Sequence, residues 1–379
     1  MARHILKTHD DLVDFVQGCL LYGVGGGGNP AEGLKALEEQ MEQGNELAWV
    51  DPEDLPDGTW AACAFLMGST APLTPEKIKQ REELGMGAWI YPRNLIKTTE
   101  FLQEYTKRKI SALIPLEMGG SNTPAPLAAA AALGISIVNG DFAGRAVPEI
   151  CQTLPVVNGI PFTPATSFDK YGNKSIIVEA ISIDVAERIG KYISEVSFGS
   201  TGLCGFMIPT KEVKKHIVAN TMSDALKAGR IITKAKKSGK DISDALCGEL
   251  GFYKLFTGVV KEKPWEDRDG YYWGNHIMEG TGAYAGQNAH VFFKNENHIF
   301  YLNGKLIASS PDLIFNIDNK LQEAKLNDHI KINDELTILG APCKPEMRSE
   351  KMLPRIGPSH YGVDLPYVPI EQSYAQKKA

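Results

Sequence analysis

Apolar positions recur at helical spacing through Leu12, Val13, Val16 and Leu20, behind a capping signal that spans Thr8 to Asp11. A glycine run, Gly23 to Gly28, follows, and Asn29 then caps a second helix with Pro30 at its first position and Glu32 in its first turn. Glu46 to Val50 and Trp60 to Met67 read as strands, the second entering a loop over Gly68 to Pro72. A helix from Pro75 to about Leu84, another from Asn94 to Lys107, a strand from Ile110 to Pro115, an alanine-rich helix from about Pro126 to Leu133 and an apolar strand from Ile135 to Val138 complete the first part. Strand, loop and helix alternate, which predicts a mostly parallel sheet with covering helices. The pattern breaks at Pro161 to Pro164, and Asp169 to Asn173 is a turn signal. Beyond it come a strand at Ser175 to Ser182, a helix at Val185 to Val196, a strand at Gly202 to Pro209 and helices at Ser223 to Lys237 and Ile242 to Glu249. From Phe252 to about Ala341 the period falls to two, with turns such as Asn303-Gly304 every eight to twelve residues. The fold class expected is therefore α/β. A layered N-terminal domain with a mostly parallel sheet (1–170) precedes an α+β domain (171–379), which contains a barrel- or sandwich-like β-rich subdomain at about 252–341. The proline-rich tail from Lys344 is expected to pack back over the body.

Candidate chemistry gathers where strands end. Ile135 to Val138 runs into Asn139-Gly140-Asp141, and Arg145 and Glu149 follow four residues apart. If Arg145 to Gln152 wind into helical turns, those two side chains share a face. Asp141 and Glu117 would stand at the carboxyl ends of neighbouring strands, where open α/β sheets place ligands. Acids sharing a pocket push their proton affinities apart, so Asp141 reads as a base and Glu117 or Glu149 as the acid or orienting partner. Arg145 would take an anionic group. The bland reading is a turn, a surface ion pair and a structural Glu–Arg–Asp network. Gly23, Gly25 and Gly28 spell G-x-G-x-x-G, but the preceding period is helical, so no nucleotide cofactor is expected. Gly27, Gly28 and Asn29 could instead offer backbone N–H groups to a polar ligand, or simply turn a corner between two helices. Asn295-Glu296-Asn297 and Ser310-Pro311-Asp312 read as turns, or as one wall of a site across a domain interface.

Composition narrows the field. The 379 residues carry a net charge of −6, and the basic clusters are short, which argues against nucleic acid as a partner. Six scattered cysteines form no C-x-x-C pair, the N-terminus lacks a signal-peptide core, and no apolar run is long enough for a membrane span. A cytoplasmic protein with no membrane partner is the expectation. The eight histidines show neither H-x-H nor H-x-x-x-H spacing, and there is no G-x-S-x-G elbow. Cys19 and Cys204 fall in apolar surroundings and read as packing residues.

Taken together, Gly25 to Gly28, Glu117-Met-Gly-Gly-Ser-Asn122, Asp141-Phe-Ala-Gly-Arg145-Ala-Val-Pro-Glu149, Asn295-Glu-Asn297 and Pro311-Asp-Leu-Ile314 resemble the motifs of the S-methyl thiohydantoin desulfurase family. Members often accompany hydantoinase/oxoprolinase proteins. The resemblance covers nearly the whole chain and implies hydrolytic removal of sulfur from a thiohydantoin ring, giving a hydantoin and hydrogen sulfide or methanethiol, as in ergothioneine breakdown. It implies catalysis by Asp141, Glu117 and Glu149. It implies substrate binding by Arg145, Asn122, Gly27, Gly28, Asn29, Glu296 and Asp312. A zinc ion that polarises sulfur or generates hydroxide is a variant of this chemistry, with ligands unassigned. A homo-oligomer is expected. Two other classes stay open: a non-catalytic partner subunit of a hydantoinase-type enzyme, and a nucleotide-dependent enzyme that uses the glycine loop.

Overall fold

The computed structural model describes residues 3–68 and 73–378, so most of the loop expected over Gly68 to Pro72 lies outside the described residues. Helix α1 (His9–Tyr22) opens with a reciprocal cap: the Thr8 hydroxyl accepts from the Asp11 N–H, and the Asp11 carboxylate accepts from the Thr8 N–H. Helix α2 (Pro30–Glu42) starts with the Asn29 side chain accepting from the Ala31 N–H. Between them the glycine run makes a tight corner.

The first sheet comprises β1 (Trp60–Gly68), β2 (Ile110–Ile114), β3 (Ser136–Ile137), β4 (Ala165–Asp169), β5 (Lys174–Ile177) and β6 (Ser200–Pro209), in the order β3-β2-β1-β6-β4-β5. It is mixed rather than mostly parallel. β1, β2 and β3 run parallel, joined by helical crossovers as the alternation implies. The other half is antiparallel. Its cause is local: the Asp169 carboxylate accepts the N–H groups of Tyr171, Gly172 and Asn173, which closes a tight turn and sends β5 straight back beside β4. β5 and β6 both come from beyond residue 170.

Both faces of this sheet are covered, and β1 shows how. Ala62 and Ala64 point to a helical layer built from α1, α2, α3 (Asn94–Thr106) and α4 (Pro124–Leu133), where Phe15, Leu37, Leu102 and Leu127 pack. Ala61, Cys63 and Phe65 point the other way, to Phe162, Phe206 and helix α5 (Ile183–Val196). Helix α6 (Thr221–Lys237) lies along α1 and ties this layer to the rest of the chain.

The second sheet is antiparallel throughout. Its strands are β7 (Tyr253–Glu262), β8 (Trp265–Arg268), β9 (Tyr271–Gly280), β10 (Asn288–Lys294), β11 (Glu296–Leu302), β12 (Lys305–Ser309), β13 (Leu313–Asp318), β14 (Glu323–Ala324) and β15 (Glu335–Ala341). The order is β12-β11-β10-β9-β7-β15-β13-β14, with β8 paired to β9. β13 returns beside β11 without pairing, so the sheet curls into an open, barrel-like form. The Asn297 side chain, donating to the Ile314 carbonyl at 3.0 Å, bridges that seam. Among the described residues no helix is long and apolar enough to cross a membrane.

Candidate functional site

Three loops meet between the two sheets. The Gly27 carbonyl accepts the N–H groups of both Ser121 and Asn122, each at 3.1 Å, so the glycine corner is clasped by the loop that follows β2. Gly27 has a φ of +78°, and a Cβ there would stand 2.5 Å from the Gly119 Cα, which only glycine avoids. The third loop is the one-residue turn between β10 and β11. Asn295, at a φ of +56°, lets the chain reverse, and the Asn297 N–H donates to the Val24 carbonyl. That turn delivers Glu296 against Gly26, where any side chain would collide with the Glu296 carboxyl.

The loops enclose a cavity of about 250 Å³. Apolar side chains of β1, α3 and α4 line it, among them Phe65, Met67, Leu95 and Ala129. Four acids, Glu117, Glu149, Glu187 and Glu296, line it as well, together with Lys191. Glu117 and Glu296 are almost completely buried. The Glu117 oxygens accept from the Val147 N–H and the Asn122 amide. Burial pushes its carboxyl up to about 7 against those two donors, and the nearby Asp141 charge adds to the rise. Glu296 is held well above the usual carboxyl range too, by burial first and then by the charge of Glu117, while the cations Arg145 and Lys191 and the Gly27 N–H oppose the rise. Among the described residues its Oε2, itself buried, has no hydrogen-bond partner. Glu149 is the opposite case. Burial would raise it, but a hydrogen bond from His360 and the Lys294 ammonium 2.7 Å away outweigh that and bring it down to about 2. Glu149 is a fixed anion, whereas Glu117 and Glu296 can exchange a proton.

Of the residues expected from the sequence, Glu117, Glu149, Asn122, Gly27, Gly28, Asn29 and Glu296 line the cavity, while Asp141, Arg145 and Asp312 do not. The loops after β2 and β3 do lie side by side, through Phe142 N–H to the Leu116 carbonyl and Met118 N–H to the Arg145 carbonyl. Asp141 is nevertheless turned inward. Its Oδ1 accepts the N–H groups of Ala143 and Gly144 at 2.6 Å, and its backbone pairs with Val218. Arg145 and Glu149 do not share a helical face, because residues 145–148 are irregular: Pro148 disfavours helical geometry at Val147. Arg145 instead runs into the second sheet, donating to the carbonyls of Asn297 at 2.7 Å and Asp312 at 3.0 Å. The Asp312 carboxylate accepts from the N–H groups of Cys343 and Ile370, from Arg348 and from the Tyr367 hydroxyl.

The sequence reading missed Glu187 and Lys191. Both sit on α5 at i and i+4, on the face carrying Ala186, Gly190 and Ser194. A charged pair on the small-residue face of a helix was the available signal. Among the described residues no group of three or more His, Cys, Asp and Glu side chains is arranged to hold a metal ion.

Two family models match the chain: "S-Me-THD-like, N-terminal domain" over residues 10–179, and "S-Me-THD-like, C-terminal domain" over residues 181–370. A crystal structure of a protein from Chromobacterium violaceum is similar at a TM-score of 0.78, over 98% of this chain and 100% of that one. At 20% identity that likeness is one of fold. No curated protein matches the chain.

Proposed function

Because the chain belongs to the S-Me-THD-like family, we propose that its cavity hydrolyses an S-methyl thiohydantoin to a hydantoin and methanethiol. The family's name fits a thiohydantoin-related function. The observation that carries the specific reaction is the buried Glu117–Glu296 pair, two carboxyl groups that burial raises and that line one cavity of about 250 Å³.

The ring carbon between two nitrogens is a weak electrophile, so water needs a base and the departing sulfur needs a proton. Glu117, raised to about 7, is ionised often enough near neutrality to take a proton from water. Glu296, held well above the usual carboxyl range by burial, carries the proton for the sulfur. A C–O bond forms, the ring nitrogen takes up the electron pair of the C=N bond, and the C–S bond then breaks with methanethiol leaving. Glu117 passes its proton to the ring nitrogen, and Glu296 recovers one from the new hydroxyl as the carbonyl forms. Both carboxyl groups end as they began. The apolar side chains Phe65, Met67 and Leu95 in the lining suit the methylthio group, and the Asn122 amide holds Glu117 in place.

The role expected of Asp141 therefore passes to Glu117. The test is incubation of the purified protein with S-methyl thiohydantoin and with the parent thiohydantoin, each bearing a propionate chain as in ergothioneine breakdown. Free thiol, sulfide and hydantoin are then measured. Stoichiometric methanethiol and hydantoin support the reading; no release from either ring rejects it.

A further inference from the structure

Lys191 has no part in the scheme above, yet it lines the same cavity. Its hydrogen bonds, among the described residues, go to the carbonyls of Gly68 at 3.3 Å and Gly270 at 3.4 Å, long for an ammonium that can reach about 2.8 Å. The ammonium also lies 4.0 Å from the centre of the Tyr271 ring. The carboxylates around it are engaged elsewhere. Glu187 on its own helix accepts from the Ile150 N–H and the Tyr271 hydroxyl, and Glu117 accepts from Val147 and Asn122. Its charge is thus surrounded by acids but bound tightly to none.

A structural lysine in a buried acidic cluster normally closes a short ion pair, as Lys294 does with Glu149 at 2.7 Å. Among the described residues two carbonyls take N–H groups of the Lys191 ammonium, which leaves a third donor, and the side chain lines the cavity. Attack of water on the ring carbon builds negative charge on the ring nitrogen and, through conjugation, on the ring carbonyl oxygen. A preorganised cation at that place acts mainly in the transition state.

We propose that Lys191 is a catalytic residue that donates a hydrogen bond from its ammonium to the ring nitrogen or carbonyl oxygen on which this charge gathers. The assignment rests on the thiohydantoin reading and deepens it. Burial pulls Lys191 below the usual lysine range, while Glu187, Glu296 and Glu117 support its charged form and Lys294 opposes it. The cation is therefore balanced between these groups.

Two readouts separate this role from a structural one. The first is turnover of S-methyl thiohydantoin by wild type, Lys191→Met and Lys191→Arg, with melting temperatures alongside. Methionine keeps the stem's packing and removes the charge. The expected result is a fall in kcat of about 10² to 10³-fold for Lys191→Met with KM nearly unchanged, and partial recovery with Lys191→Arg. The second is the ultraviolet difference spectrum of bound 2-thiohydantoin, whose imide N–H ionises with a change in absorption. In wild type the bound ring should ionise at a lower pH than the free ring, and in Lys191→Met that shift should vanish. Wild-type turnover with a folded Lys191→Met that keeps kcat overturns the proposal. So does a bound ring that ionises in wild type as it does in water, which needs no variant to fold. A shifted bound ring without any thiol release would reject hydrolysis while retaining the Lys191 contact.

Discussion

Two buried charged clusters flank Glu296, and they are built on opposite principles. On one side, Arg145 and Asp312 close the seam between β11 and β13: the guanidinium donates to three backbone carbonyls below 3.1 Å, and the carboxylate accepts four donors. On the other side, Glu117, Glu187, Glu296 and Lys191 line a cavity, with one carboxyl oxygen unpartnered among the described residues and an ammonium on long bonds. Read as sequence, Arg145 and Asp312 were expected to bind substrate beside Glu296, while Glu187 and Lys191 drew no notice. A charge whose hydrogen-bonding capacity is saturated by its own chain has nothing left for a ligand. A charge that lines a cavity and is not bound tightly by its own chain can still meet a ligand.

The contrast can be broken by substitution. The largest effect belongs to the cavity. Glu117→Gln and Glu296→Gln should each lower kcat/KM for thiol release by about 10³-fold, with little loss of melting temperature. Retained turnover in either folded variant would remove that carboxyl from the mechanism. At the seam the order reverses. Arg145→Met should destabilise the fold by about 3 to 5 kcal/mol, because it strands carbonyls deep in the interior, while the surviving folded fraction turns over normally. Denaturant titration beside specific activity reads both. Asp141→Asn is a milder probe: the amide oxygen can still accept from Ala143 and Gly144, and burial holds the Asp141 carboxyl up at about 6, so little stability should be lost at neutral pH and turnover should stay near wild type. A collapse of activity there would return the base to Asp141.

The smallest effect is a matter of sign. Glu117 sits near 7 in the folded chain and lower when unfolded, so between those values the unfolded chain gives up a proton that the folded chain keeps. Its contribution therefore turns against folding as pH rises from the ordinary carboxyl range to about 7, and stays unfavourable above. Glu117→Gln should stabilise the protein by on the order of 1 kcal/mol at pH 8 and not at pH 4, part of the gain being offset by weaker bonds to Val147 and Asn122. Equal melting shifts at both pH values would mean the carboxyl is not strained.

Much of the architecture was legible because the periodic segments are long. The capped helix from Thr8, the strand Trp60 to Met67 and the period-two stretch after Phe252 all appear within a few residues of where they were expected. The mixed sheet was not: the turn at Asp169 to Asn173 was legible, but that the strands on both sides of it would join the first sheet antiparallel was not. In the site, strand-end acids such as Glu117 could be found from pattern alone. Which acid faces the cavity could not, because Asp141 and Glu117 end similar strands and differ only in how their loops turn. Arg145 and Glu149 at spacing four suggested a helix that Pro148 denies. Glu187 and Lys191 were hidden by the opposite habit, the assumption that charges on an amphipathic helix face outward.

The central claim is that Glu117 and Glu296 divide the work of base and acid in one pocket. The pH dependence of kcat/KM for methanethiol release tests it most directly. Wild type should show a rate that rises with pH through about 7 as Glu117 ionises and falls again as Glu296 loses its proton, and Glu117→Gln should lose the rising limb. A rate that is independent of pH across that range, or a rising limb that survives in Glu117→Gln, would contradict it.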